Sequence, residues 1–181
     1  MTRRVLLVRH TAVALRWKGI CYGASDVGLS RAGLADARQL AATLAAEPIT
    51  AVVHSGLRRT RLLAEMLGQP CIVDPRWRER DFGSWEGCRW QAIWRDTGNA
   101  MDGMLTDPHG YRPGGGETGA EVAARVRQAW DALPADGTIV VISHGGPIAT
   151  VRLLAERRPL GEAADFIPAI GAVVEVDQPL P

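Results

Sequence analysis

The chain has 181 residues, 46% of them hydrophobic and 23% charged, with a formal net charge of +1. This composition fits a single folded soluble domain over residues 1–181 and is too apolar for a disordered chain. With so little net charge there is no generic electrostatic case for binding nucleic acid or a membrane surface, so any anion site must be local.

The first element is the apolar run Val5–Val8, read as a strand buried on both faces. At four residues it is too short for a signal peptide or a membrane span, and a cytoplasmic location is expected. The run ends abruptly in Arg9, His10 and Thr11. A helix follows from Ser30, a suitable N-cap, to Ala46, with apolar residues at Leu34, Ala37, Leu40, Ala41 and Leu44. Ala51–Val53 reads as a short strand. After it, "HSGLRRTRLLAEML" reads as a helix from about Gly56 with Leu62, Leu63, Met66 and Leu67 on its buried stripe. Arg59 lies three and four residues before Leu62 and Leu63 and so falls on that stripe, whereas Arg58, Arg61 and Glu65 face solvent. A buried guanidinium needs an anion, either a structural carboxylate or a bound phosphate. His54 reads as local structure.

Cys71–Val73 is a further short strand. The loop "WRERDFGSWEG" carries Glu79 and Glu86 beside Phe82 and Trp85, and residue physics alone does not choose between the two carboxylates. Residues 98–117, rich in glycine and proline, read as a loop excursion of the length that is often functional. Thr118 opens a helix with a capping box to Glu121, and Val122, Val126, Ala129, Trp130 and Leu133 share one face. Thr138–Ile142 is a second unbroken buried strand, ending in Ser143, His144 and two glycines, and Ala172–Val176 closes the series. Strands alternating with helices imply a three-layer α/β/α sandwich with a mostly parallel central sheet. Cys21, Cys71 and Cys88, an odd number with no C-x-x-C spacing, read as plain buried thiols rather than disulfides or a zinc site.

Ligands of open α/β sheets sit beyond the carboxyl ends of the strands, so His10 and His144 are placed to converge on one pocket. Taken singly, each could merely satisfy a strand end; the doublet argues for a site. A nucleotide-binding alternative lacks both G-x-x-x-x-G-K-[ST] and a strand-following G-x-G-x-x-G.

These stretches, in this order, resemble the histidine phosphatase superfamily, in its phosphoglycerate-mutase-like branch. The strand-end motif corresponds to Arg9, His10 and Thr11, and the S-x-L-x-R helix start to Ser55, Leu57 and Arg59. The loop motif corresponds to Glu79, Gly83, Trp85, Glu86 and Gly87, and S-H-G-G to Ser143–Gly146. The resemblance implies that His10 is a nucleophile forming a phosphohistidine, with Arg9, Arg59 and His144 clasping the phosphoryl oxygens. It implies Glu79 as general acid and then base, Glu86 as structural, and no metal or cofactor.

Where the family usually has a glycine, this chain has Thr11, whose hydroxyl is able to donate to phosphate but whose Cβ resists positive φ. Arg16, where an asparagine is common, and Lys18 read as solvent-facing. Among subfamilies, "CYGASDVGLS" (residues 21–30) is similar to α-ribazole-phosphatase-like members of cobalamin assembly. By that correspondence Tyr22, Gly23 and Gly145 join Thr11 on the substrate side. The expected activity is hydrolysis of a small-molecule phosphomonoester. The alternatives are mutase-type phosphoryl transfer and a non-catalytic phosphate-docking module.

Overall fold

The computed structural model describes residues 3–177 and 180. Five strands form one sheet: β1 (Arg4–Arg9), β2 (Ile49–His54), β3 (Cys71–Val73), β4 (Thr138–Ser143) and β5 (Val173–Val176). Their order is β3-β2-β4-β1-β5, parallel throughout except for β5, which runs antiparallel to β1 at one edge. Alternate residues of the central strands feed two cores, because successive side chains point to opposite faces. On one face, Val5, Leu7, Val53, Ile139 and Val141 pack with Trp77, Trp130 and the helices α5 (Gly119–Asp131) and α6 (Gly145–Ala155). On the other, Leu6, Val8, Val52, Val140 and Ile142 meet α1 (Arg31–Leu44) and α2 (Arg58–Glu65). This is the expected α/β/α sandwich.

Helix starts follow their caps. Ser30 accepts the Gly33 N–H to open α1, and Thr118 and Glu121 form the reciprocal capping box of α5. In α2 the buried residues are Arg59, Thr60, Leu63 and Ala64, so the stripe does carry the arginine inward. It is turned about its axis from the expected one, and Leu62, Met66 and Leu67 are only half-buried.

Three expectations are corrected. Residues 98–117 are not a bare loop: they contain two 3-10 turns, Gly98–Asp102 and Pro113–Gly115, and the one-turn helix α4 (Gly103–Thr106), after α3 (Trp90–Thr97). Their short lengths and glycine content hide them from periodicity. Of the cysteines only Cys21 is buried; Cys71, on the edge strand β3, is half-buried against the second core, and Cys88, in the loop before α3, is exposed. The backbone concern at Thr11 also falls away, since Arg157 is the one non-glycine residue with positive φ among those described.

Helix α6 was not foreseen. It buries Gly145, Pro147, Ile148, Ala149, Thr150, Val151 and Leu153, and a helix covered on nearly every side shows no amphipathic stripe. Its Pro147 sits in the first turn, where a missing N–H costs no helical hydrogen bond. Among the described residues no helix is long and apolar enough to cross a membrane.

Candidate active site

Parallel pairing of β1 and β4 sets Arg9 opposite Ser143, so the next residues, His10 and His144, leave the sheet side by side. The His10 N–H donates to the Ser143 carbonyl at 3.1 Å, and the two rings meet edge to face with centroids 5.2 Å apart. Both residues are buried.

The protonation of His10 follows from its partners. Its Nδ1 lies 2.8 Å from the Thr11 carbonyl, which can only accept, so Nδ1 carries the hydrogen and Nε2 keeps a lone pair. Burial, and next the charge of Arg59, pushes the pKa of His10 down to about 3, leaving the ring neutral and nucleophilic at any ordinary pH.

Arg59 is fully buried, delivered by the first turn of α2. Its Nη2 donates to the Gly23 carbonyl and its Nη1 to that of Ser25, each at 2.6 Å, while Nε donates to His144 Nδ1 at 3.1 Å. The ring of Tyr22 lies 5.3 Å from its guanidinium carbon. Among the described residues no carboxylate forms an ion pair with it. Its hydrogen-bond partners are all neutral and Glu79 acts on it only through space, so positive potential is left for an anion, and each terminal nitrogen has a second hydrogen that these bonds do not use.

Because a guanidinium only donates, His144 Nδ1 must accept, and Nε2 then donates to Ser55 Oγ at 2.8 Å. Ser55 passes its hydrogen to Thr60 Oγ1, and Thr60 donates to the Leu57 carbonyl, each at 2.8 Å. The chain of bonds runs in one direction and fixes His144 as a neutral ring; burial and then Arg59 hold its pKa well below the usual value. The expected grip of His144 on phosphoryl oxygens is not seen directly. Both its nitrogens are occupied, so touching a phosphoryl group would require exchanging one of these bonds, and as it stands the ring positions Arg59.

Arg9, the last residue of β1, reaches the same end of the sheet. Nη1 donates to the Pro168 carbonyl at 2.6 Å, and Nε is buried without a partner. Glu79 comes from the loop after Trp77. One carboxylate oxygen accepts the Arg80 N–H at 2.9 Å, and the other accepts the Gly146 N–H at 3.2 Å, at the start of α6. A Cβ on residue 146 would collide with that carboxylate, so glycine is required for the approach. Arg125 of α5 braces the acid's loop from behind, donating to the carbonyls of Arg76, Arg78 and Glu79 and pairing with Glu117 at 2.7 Å.

Glu86 turns away from this centre. It accepts the N–H groups of Ala24 at 2.8 Å and Phe82 at 3.2 Å, and the Ser25 hydroxyl, tying the 22–25 loop in place. Gly23 has positive φ, and any Cβ there would strike Glu86 and the Arg80 carbonyl. The Thr11 hydroxyl donates to the Gly33 carbonyl at 2.7 Å. Gly145 is the buried first residue of α6, against Arg9. His54 accepts the Gly56 N–H at 3.0 Å, and Arg16 and Lys18 are exposed.

Beside this centre opens a cavity of about 380 Å³ whose polar lining includes Arg9, Tyr22 and Glu79, next to Gly23 and Gly146. His10, Arg59 and His144 are buried and are not part of the cavity lining, though Arg9 and Glu79 border both. Thr60 and Arg125 were not anticipated. Thr60 is adjacent to an expected site residue, and Arg125 flanks the apolar stripe of α5, but neither pattern distinguishes a network member from an ordinary flank. Among the described residues no three His, Cys, Asp or Glu side chains cluster as metal ligands.

Known proteins agree with this architecture. A mycobacterial glucosyl-3-phosphoglycerate phosphatase in complex with VO3 superposes with a TM-score of 0.85 at 27% identity, over 96% of this chain and 92% of that one. Bacillus stearothermophilus YhfR gives 0.85 at 26% identity, over 96% and 90%. In sequence, the probable phosphoglycerate mutase GpmB of Erwinia tasmaniensis is 31% identical over 149 residues, 78% of this chain and 69% of its own length. The glucosyl-3-phosphoglycerate phosphatase of Mycolicibacterium vanbaalenii is 29% identical over 185 residues, 94% and 80%. The family signature of the histidine phosphatase superfamily (branch 1) matches residues 5–178, nearly the whole chain, and to that family this protein belongs.

Proposed function

We propose that the protein hydrolyses a small-molecule phosphomonoester through a phosphohistidine on His10, with no metal or other cofactor. The observation that carries this reading is the pairing of a neutral buried imidazole, its Nε2 lone pair unprotonated, with a buried guanidinium that, among the described residues, makes no ion pair with a carboxylate. His10 Nε2 attacks phosphorus as the ester P–O bond breaks, and Glu79 gives its proton to the departing alcohol. Glu79 then takes a proton from water, which attacks phosphorus as the N–P bond breaks and phosphate leaves. Arg9 and Arg59 stabilise the charge on the phosphoryl oxygens, and α6 adds its N-terminal end.

Mutase-type transfer is the second reading, and the GpmB relatives are named for it. Hydrolysis is favoured because Leu105 and Ile167, at the cavity mouth, are 47% and 45% exposed, a rim that admits water to the intermediate. The residue 21–30 similarity makes α-ribazole 5′-phosphate the first physiological substrate to assay. The expected setting is the cytoplasm, without nucleic-acid or membrane partners.

An aryl phosphate assay in excess chelator tests the reading. Turnover with a base-stable, acid-labile label on the protein supports it; a label that persists in His10→Ala removes His10 from the role. No turnover between about pH 5 and 8, with phosphate still bound and no label on the protein, would favour the docking module.

A further inference from the structure

The cavity changes chemistry along its length. Beyond Glu79 it is walled by Phe82, Trp90, Met104, Leu105, Ala164 and Ile167. Phe82 and Trp90 meet edge to face with centroids 5.5 Å apart. These residues come from separate segments: the loop after Glu79, the start of α3, the short α4, and the stretch around the 3-10 turn Leu160–Phe166. Leu105 and Ile167 leave much of their apolar surface in water. Large apolar side chains converging on the mouth of a polar centre mark a surface built to be covered.

The charges complete the argument. Arg9 belongs to the floor. The other cation among the described lining residues, Arg80, is a strut: Nε donates to the Glu117 carbonyl at 2.8 Å, Nη2 to that of Tyr111 at 3.4 Å, and its guanidinium lies over Phe82. The Thr150 hydroxyl, also on the lining, is given to the Gly146 carbonyl at 2.9 Å. Tyr22 adds one phenol hydroxyl, so a leaving group with its own carboxylate would meet Glu79, that hydroxyl and hydrocarbon, and a polyhydroxylated one would lose more water contacts than the wall replaces.

We infer that the ester this protein cleaves carries an apolar alcohol, an aryl-alkyl or medium-chain alkyl group that seats against Phe82, Trp90, Met104, Leu105 and Ile167. The inference rests on the phosphatase reading of the floor, ranks such esters above α-ribazole 5′-phosphate because the ribose of the latter brings hydroxyls to this wall, and separates this chain from relatives named for phosphoglycerate esters. Trp90, Met104, Leu105 and Ile167 are its specificity determinants.

The test compares kcat/KM for 2-phenylethyl phosphate and hexyl phosphate with that for glycerol 3-phosphate and 3-phosphoglycerate, all alkyl alcohols of similar leaving-group reactivity. The apolar esters should win by more than about tenfold over both polar ones; a ratio of tenfold or less overturns the inference while leaving the phosphatase reading intact. Leu105→Lys, at the half-exposed rim, and Trp90→Ala, on the inner wall, should each cut that ratio by roughly tenfold, and an unchanged ratio in both overturns it. Turnover of none of these esters is the failure of the phosphatase reading instead. In that event calorimetry with two non-hydrolysable phosphonates decides the wall: tighter binding of 2-phenylethylphosphonate than of 2-carboxyethylphosphonate supports it, and equal or reversed affinities overturn it.

Discussion

The inner polar chamber beside the cavity and the cavity's outer vestibule are built on opposite terms. In the chamber, His10, Ser55, Arg59, Thr60 and His144 are buried polar groups; the last four are linked by hydrogen bonds, His10 is held to the Thr11 and Ser143 carbonyls, and all are anchored to strand ends and the first turn of a helix. In the vestibule, Phe82, Trp90, Met104 and Leu105 are only partly covered and ride on short helices and loops. A buried polar group without its partner is costly, so the chamber tolerates almost no change, whereas an apolar wall adapts by repacking. The difference separates the chemistry, which the sheet holds, from the choice of substrate, which the excursion supplies.

The largest expected effect strikes the chamber. His10→Ala should lower turnover of an aryl phosphate by on the order of 10⁴-fold or more, as removal of a nucleophile does. Survival of activity above that level would mean the chamber is not the reactive end. Glu79→Gln should cost about 10²–10⁴-fold in kcat while vanadate or phosphate still binds, since it removes proton transfer and leaves the cations. Loss of binding to the same extent as rate, measured by inhibition constants, contradicts that assignment.

Gly146→Ala sharpens the boundary between the regions. The new methyl displaces the Glu79 carboxylate from the start of α6, and a shift of this size should lower kcat by about 10²-fold with little change in thermal stability. A wild-type rate in this variant, read by steady-state kinetics, would detach Glu79 placement from catalysis.

Acid stability distinguishes the regions without kinetics. His10 and His144 are held neutral by burial, with His10 lowered to about 3 from an ordinary 6.5. Below pH 6.5 the unfolded chain takes up protons that the folded one refuses. Stability is therefore full above that pH and falls as the pH drops toward 3, by up to about 1.4 kcal/mol per pH unit for each such ring. Urea unfolding across this window should show a shallower slope in His10→Gln; an identical slope means that His10 charges freely in the fold. The smallest effect is expected from Thr11→Val, which removes the donor to the Gly33 carbonyl and should cost about 1 kcal/mol in the same unfolding experiment.

Much of the chamber was legible because strand ends advertise themselves. Val5–Val8 and Thr138–Ile142 are continuous apolar runs, and the residues just after such a run are bound to emerge at the sheet's carboxyl edge. Arg59 was legible from its place three and four residues before two leucines, although the helix turned slightly from the expected stripe. The proton direction through His144, Ser55 and Thr60 was not, because it depends on which atoms meet across α2 and β4. The vestibule was least legible: α4 has a single turn, α6 is covered all round, and neither leaves a periodic trace.

The sequence by itself determined the alternating α/β order, the two strand ends that carry histidine and the arginine turned inward, because apolar runs and helical spacing are local properties. Tertiary structure alone decided that Thr11 serves α1, that His144 spends both nitrogens on its neighbours, and that four distant segments share one apolar wall. Those outcomes depend on distances between residues far apart in the chain, which no local pattern encodes.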